Sequence, residues 1–258
     1  MVKLQAHRGV SSDYPENTMI AYEAAIKQGY ALIELDPKYT IDNKFVMLHD
    51  ASLKRTARDQ YGNSPDLLIK DITLAEAKRY EYGSWKGEKF KGEQIPTLSD
   101  VLDLSEKNPH ISIKIDNIWG KFPENLQISF LNEIKARGNN VNIGLTCATL
   151  ETLSLAAKEL PYATLHYDGM DLEETTLKSI SDIAKGHNFI IWICYDNLQT
   201  AWFKGTKASL NLCNKVRKYG KIGIWLISKP EELEKAINDF RADYIETNGI
   251  IKPSCISK

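Results

Sequence analysis

Short apolar runs alternate with amphipathic helical stretches along almost the whole chain, and this alternation limits the fold more than any other feature. Runs at residues 2–6, 31–35, 45–48, 111–115, 141–145, 163–167, 189–193, 222–226 and 244–246 read as strands. Helical patterns at 17–28, 98–107, 125–137, 150–159, 172–185, 208–219 and 230–240 lie between them. Asn17 is placed as an N-cap before the first helix and Gly29 as its stop. Residues 37–44 are too few for a helix and carry an Asp42-Asn43 turn signal, so the run at 45–48 is expected to return antiparallel as a hairpin. Removing it leaves eight parallel staves, the count that closes a (β/α)8 TIM barrel.

At 258 residues, the chain has the length of one such barrel, and a single domain over 1–258 is expected. Residues 51–97 break the alternation. They are long, aromatic-rich and helical only near 74–80, and read as an insertion that stands over the active face or caps the barrel. Lys and Arg total 33 against 34 Asp and Glu, so no positive excess is present to release counterions from nucleic acid, and nucleic acid is not expected as a partner. No apolar run approaches the ~20 residues of a membrane span. The strand leading to His7 begins almost at once, leaving no room for a signal peptide, so the chain as written is expected to be cytoplasmic; a periplasmic or secreted placement would need a leader removed beforehand. The four cysteines are widely spaced, read as free thiols and suit a reducing compartment.

On this fold, chemistry gathers where strands end. His7 and Arg8 follow the first strand, Glu34 and Asp36 close the second, and His49 ends the hairpin's return. Two-residue periodicity puts Glu34 and Asp36 on one face. Inward carboxylates at a barrel mouth require a cation or a basic partner, and an all-oxygen set suits magnesium, calcium or manganese; an ion pair with Arg8 is the plainer alternative. The run Ile111-Ser112-Ile113-Lys114-Ile115-Asp116 turns Ser112, Lys114 and Asp116 inward, which makes Lys114 a candidate for a substrate phosphate or a metal-bound carboxylate. Imidazoles suit proton transfer near neutrality, so His7 and His49 are expected as an acid–base pair for phosphodiester hydrolysis. His110 and His187 read as structural, and His166 lies on a strand without a further indication of role.

The ordered set Ala6-His7-Arg8-Gly9, Pro15-Glu16-Asn17-Thr18, Ile33-Glu34-Leu35-Asp36, His49-Asp50 and Leu53-Lys54-Arg55-Thr56 resembles the glycerophosphodiester phosphodiesterase family. Ile95-Pro96-Thr97-Leu98 and Ile224-Trp225 extend the resemblance towards the C-terminus. It implies a TIM barrel of lipid and glycerol metabolism that uses one divalent cation, Mg2+ or Ca2+ with Mn2+ as a further option, on a small-molecule phosphodiester. Glycerophosphodiesters would give glycerol phosphate and an alcohol. His7 and His49 would be acid and base, Glu34 and Asp36 would bind metal, Arg8 and Lys114 would meet phosphate, and Trp225 would line the glycerol pocket.

The chain departs from the family where a glutamate normally serves as third metal ligand two residues before the lysine, because Ser112 stands there. Asp116 shares the face but lies ~13 Å along the strand at ~3.3 Å per residue, too far for a simple replacement. Glu246, inward on the last strand, is another candidate substitute, and Thr247-Asn248 replaces the family's usual threonine and aspartate. A barrel that binds phosphodiesters with impaired or altered catalysis is therefore the second expectation. A sugar-phosphate enzyme would account for the fold and Lys114, but not for His7, Glu34, Asp36 and His49 together.

Overall fold

The computed structural model describes residues 2–195 and 205–255. In chain order its elements are β1 (Lys3–Ala6), α1 (Met19–Lys27), β2 (Leu32–Leu35), β3 (Pro37–Tyr39), β4 (Phe45–Met47), α2 (Leu74–Ala77), α3 (Leu98–Lys107), β5 (Ser112–Ile115), α4 (Glu124–Lys135), β6 (Ile143–Cys147), α5 (Leu150–Glu159), β7 (Thr164–Tyr167), α6 (Glu174–Ile183), β8 (Phe189–Cys194), α7 (Leu210–Val216), β9 (Lys221–Ile227), α8 (Pro230–Asn238) and β10 (Tyr244–Thr247). The staves run β1-β10-β9-β8-β7-β6-β5-β2 and close on themselves, and every pairing between them is parallel. This is the expected (β/α)8 barrel. Its strands are covered on one face by helices and filled on the other by side chains, which is why β2 and β8 are buried at every position.

The antiparallel pair β3–β4 is the expected hairpin and stands outside the barrel sheet. Aromatic packing fixes it in place: Tyr39 meets Phe122 edge-on at 5.1 Å, and Phe45 meets Phe130 of α4 at 5.0 Å. Such pairs contribute about 0.5–1.5 kcal/mol each beyond the apolar area they bury. The insertion builds on the hairpin through a second apolar cluster, in which Val46 and Leu48 pack with Leu53, Ile69, Tyr82 and Ile95. Its helix α2 is shorter than the pattern predicts and starts at a capping box between Thr73 and Glu76. Among the described residues, no helix is long and apolar enough to cross a membrane.

One local expectation is overturned. Helix α1 begins at Met19 with Thr18 as its N-cap residue, and no side chain caps it. Asn17 adopts a positive φ of 54° and turns its side chain to Asp36 instead, donating from Nδ2 to Oδ2 at 2.7 Å. Asx residues tolerate that backbone region, so the same residue type that caps helices here serves the barrel mouth.

Gly9 permits this turn. Its φ is +77°, and a Cβ there would lie 2.7 Å from the backbone of Ala21 in α1. Gly9→Ala should lower stability by about 2–4 kcal/mol through left-handed strain and the clash together. Urea unfolding measures this, and an unchanged midpoint would show that α1 yields to the added methyl.

Candidate active site

Strand register sets the height of each functional group. In the parallel β2–β5 pair, Leu32 lies opposite Ser112 and Glu34 opposite Lys114, and the amide of Asp116 donates to the carbonyl of Leu35 at 2.9 Å. Asp116 therefore emerges beside Asp36, one step above the Glu34–Lys114 level, while Ser112 lies one step below it. Carboxylate oxygens of Glu34, Asp36 and Asp116 all lie within 4.8 Å of one another. The expectation that Asp116 stands too far away is corrected. Its distance from Ser112 does not matter, because Ser112 is not where the carboxylates meet.

These groups open into a cavity of about 760 Å³. Its wall includes His7, Arg8, Glu34, Asp36, His49, Lys114, Asp116, Trp225 and Glu246, so all nine residues singled out in the sequence face one space. Ser112 is not among its lining residues. Glu246 is engaged below the acidic trio, accepting from Gln5 Nε2 and lying 3.5 Å from Lys114 Nζ.

The acidic trio is unevenly compensated. Burial, then the charges of Asp36 and Glu246, push the Glu34 carboxyl well above the usual carboxylate range. Burial also works against the charge of Asp36, but Arg8, 3.3 Å away, and the Asn17 hydrogen bond help hold it below that range. Asp116 is raised by burial and by Asp36. Burial opposes the charge on Lys114, yet Glu246 and Glu34 keep its affinity for a proton above the ordinary value. Backbone geometry adds one donor, since Arg8, at φ 57°, gives its amide hydrogen to Glu34 Oε2 at 3.0 Å. Three converging carboxylates with only partial basic compensation form an oxygen donor set suited to a hard cation.

The histidine expectation needs correction. A function carried by a His7–His49 acid–base pair is not what the fold assembles, because the group it draws together at the mouth is acidic: Glu34, Asp36 and Asp116. Each imidazole is engaged with its own neighbour. His7 Nδ1 bonds Asn248 Oδ1 at 2.6 Å and its Nε2 lies 3.9 Å from Glu34, whereas His49 Nδ1 bonds Asp50 at 2.7 Å on a side chain 42% exposed. Asn248, which differs from the family's usual aspartate, serves here as the partner of His7.

Behind the mouth, Arg8 and Arg55 share Glu16 at 3.0 and 2.7 Å, and Arg55 reaches Asp50 at 2.7 Å. The insertion is thereby tied to the loop after β1, and Lys86 adds a bond to the carbonyl of Ser11 at 2.8 Å.

Sequence reasoning missed Asp168 and Asn117. Both line the cavity, and Asn117 Nδ2 donates to Asp168 Oδ2 at 2.7 Å. Burial and the charge of Asp116 push the Asp168 carboxyl up to about 7. The signal was available, because Asp168 is the first residue after β7 and thus stands at a strand's C-terminal end.

The chain is similar to known proteins along most of its length. A glycerophosphodiester phosphodiesterase of Caldanaerobacter subterraneus is 40% identical over 111 residues, which span 43% of this chain and 43% of that relative, less than half its length. Among solved structures, a phosphodiesterase of Oleispira antarctica in complex with the product sn-glycerol-3-phosphate superposes with a TM-score of 0.75 at 20% identity, over 96% of this chain and 93% of that one. The glycerophosphodiester phosphodiesterase of Thermotoga maritima gives 0.66 at 22% identity, over 97% and 96%. At these identities the two structures speak for the fold. The Glycerophosphoryl diester phosphodiesterase family model matches residues 7–197, well over half of the sequence, and the chain belongs to that family.

Proposed function

We propose that the protein is a divalent-cation-dependent phosphodiesterase that hydrolyses glycerophosphodiesters to glycerol phosphate and an alcohol. The observation that carries this reading is the convergence of Glu34, Asp36 and Asp116 within 4.8 Å at the mouth of a barrel of this family. Oxygens so spaced fit one coordination sphere: Ca2+ at about 2.3–2.6 Å from each ligand sets opposite ligands about 4.6–5.2 Å apart, and Mg2+ or Mn2+ draws them closer. A cation there supplies Lewis-acid stabilisation of the charge that grows on a phosphoryl oxygen.

The chain's own groups do the remainder. Arg8 is held in direction by Glu16 and Asp36, so its guanidinium stands ready at the cavity wall for a phosphate oxygen. Lys114 presents a second, buried positive charge from β5, on the other side of β2 from the Arg8 loop. The two flank the acidic trio and would clamp the phosphodiester against the cation. Trp225 offers an apolar wall for the glycerol portion. His7 and His49 remain wall residues in this scheme, and no paired proton shuttle is assigned to them. The expected alternative, a barrel impaired by serine at position 112, loses its footing because Asp116 supplies the third carboxylate.

Two outcomes follow. Purified protein assayed on glycerophosphocholine, glycerophosphoethanolamine and glycerophosphoglycerol should turn over at least one of them with Mg2+, Ca2+ or Mn2+ and fall to background in EDTA. Activity on none, or activity indifferent to EDTA, contradicts the reading. Asp116→Asn should weaken Mn2+ binding about 10-fold or more, as loss of a charged ligand oxygen would, with hydrolysis falling in parallel. Ser112→Ala should bind Mn2+ as the wild type does, and calorimetric titration of the two variants would show the reverse order if Ser112 were the ligand.

A further inference from the structure

Beneath the acidic trio, Lys114 of the cavity wall sits against two buried rings, Trp192 and His166, that are not part of that wall. Lys114 Nζ lies 4.5 Å from the centre of the Trp192 ring, on its face. The indole Nε1–H of Trp192 donates to His166 Nδ1 at 2.9 Å, and both rings are buried. An indole nitrogen can only donate, so His166 must accept at Nδ1 and carry its proton at Nε2. Among the described residues that Nε2–H meets no hydrogen-bond acceptor. Burial, then the charge of Lys114, keep His166 neutral, which preserves the acceptor.

The neighbouring strands leave room for these rings. Gly144, paired with Lys114, would place a Cβ 2.3 Å from His166 Nε2, and Gly223, paired with Trp192, would place one 2.4 Å from the indole. A pair of glycines where barrel strands ordinarily carry branched side chains marks space kept for a particular arrangement. The ammonium gains from it directly: a desolvated cation over an indole face is held in a way that a carboxylate alone, at 3.5 Å, does not hold it.

We propose that Trp192 and His166 are positioning residues for Lys114, with His166 fixing the indole through its N–H and the indole face aiming the ammonium at the substrate's phosphate. This rests on the proposed phosphate contact of Lys114.

The test is inorganic phosphate titrated into the Mg2+-saturated full-length protein, with KM and kcat for glycerophosphocholine measured alongside. Trp192→Leu, which removes the π-face, should raise the Kd for phosphate about 10-fold, and KM should rise more than kcat falls. Trp192→Phe keeps a face and loses the N–H, and His166→Leu removes the acceptor; each should cost about 3-fold, and the double variant no more than either alone, because one bond is lost in all three. His166→Gln, whose amide oxygen can accept the same hydrogen, should stay within about 2-fold. Wild-type phosphate affinity in Trp192→Leu overturns the proposal, as does simple addition of the Trp192→Phe and His166→Leu effects. If Trp192→Leu fails to fold, the double-variant cycle decides. The titration reads the stack even if wild type hydrolyses no diester, a result that overturns the functional reading alone.

Discussion

Glu34, Asp36 and Asp116 are forced together by the β2–β5 register, and their mutual repulsion in a buried mouth is the condition around which the site is arranged. Moving like charges out of water is costly unless each is matched. The protein matches them in part. Arg8 and Asn17 serve Asp36, while Lys114 is shared between Glu246 and Glu34. Glu34 is left with a carboxyl that resists ionising and a single backbone donor. The three carboxylates together present an oxygen set that suits a cation.

The outer network keeps this inner one in place. Arg8 is held by Glu16 as well as by Asp36, and Glu16 is held in turn by Arg55 of the insertion. Burial works against the charge of Glu16, yet Arg55 and Arg8 hold its carboxyl below the usual range. Asp50 is pulled down to about 2, first by the Arg55 hydrogen bond, and that pair steadies the loop carrying His49. The insertion thus acts on the mouth through a chain of alternating charges, and its own apolar cluster gives that chain a firm base.

The fold was legible because a parallel barrel repeats one simple pattern, so the hairpin at 37–47 could be told from a stave by the shortness of its connection. Glu34 and Asp36 were legible for the same reason, since period-2 alternation fixes a face. Asp116 was legible as an inward carboxylate and a weaker metal candidate but not as the neighbour of Asp36, because that depends on how β5 sits against β2, and register between distant strands leaves no local trace. Asn17 was misread since the same side chain can cap a helix or clamp a carboxylate, and only the backbone turn at Gly9 decides. The histidines suggest a shared role by their strand-end positions, whereas Asn248, the partner of His7 from the far end of the chain, emerges only in three dimensions.

Crystals soaked in Mn2+ should show, by anomalous scattering, one peak bounded by Glu34, Asp36 and Asp116. A mouth without a peak, or a peak held by Glu246 with Asp116 turned away, would show that the three carboxylates do not hold a cation.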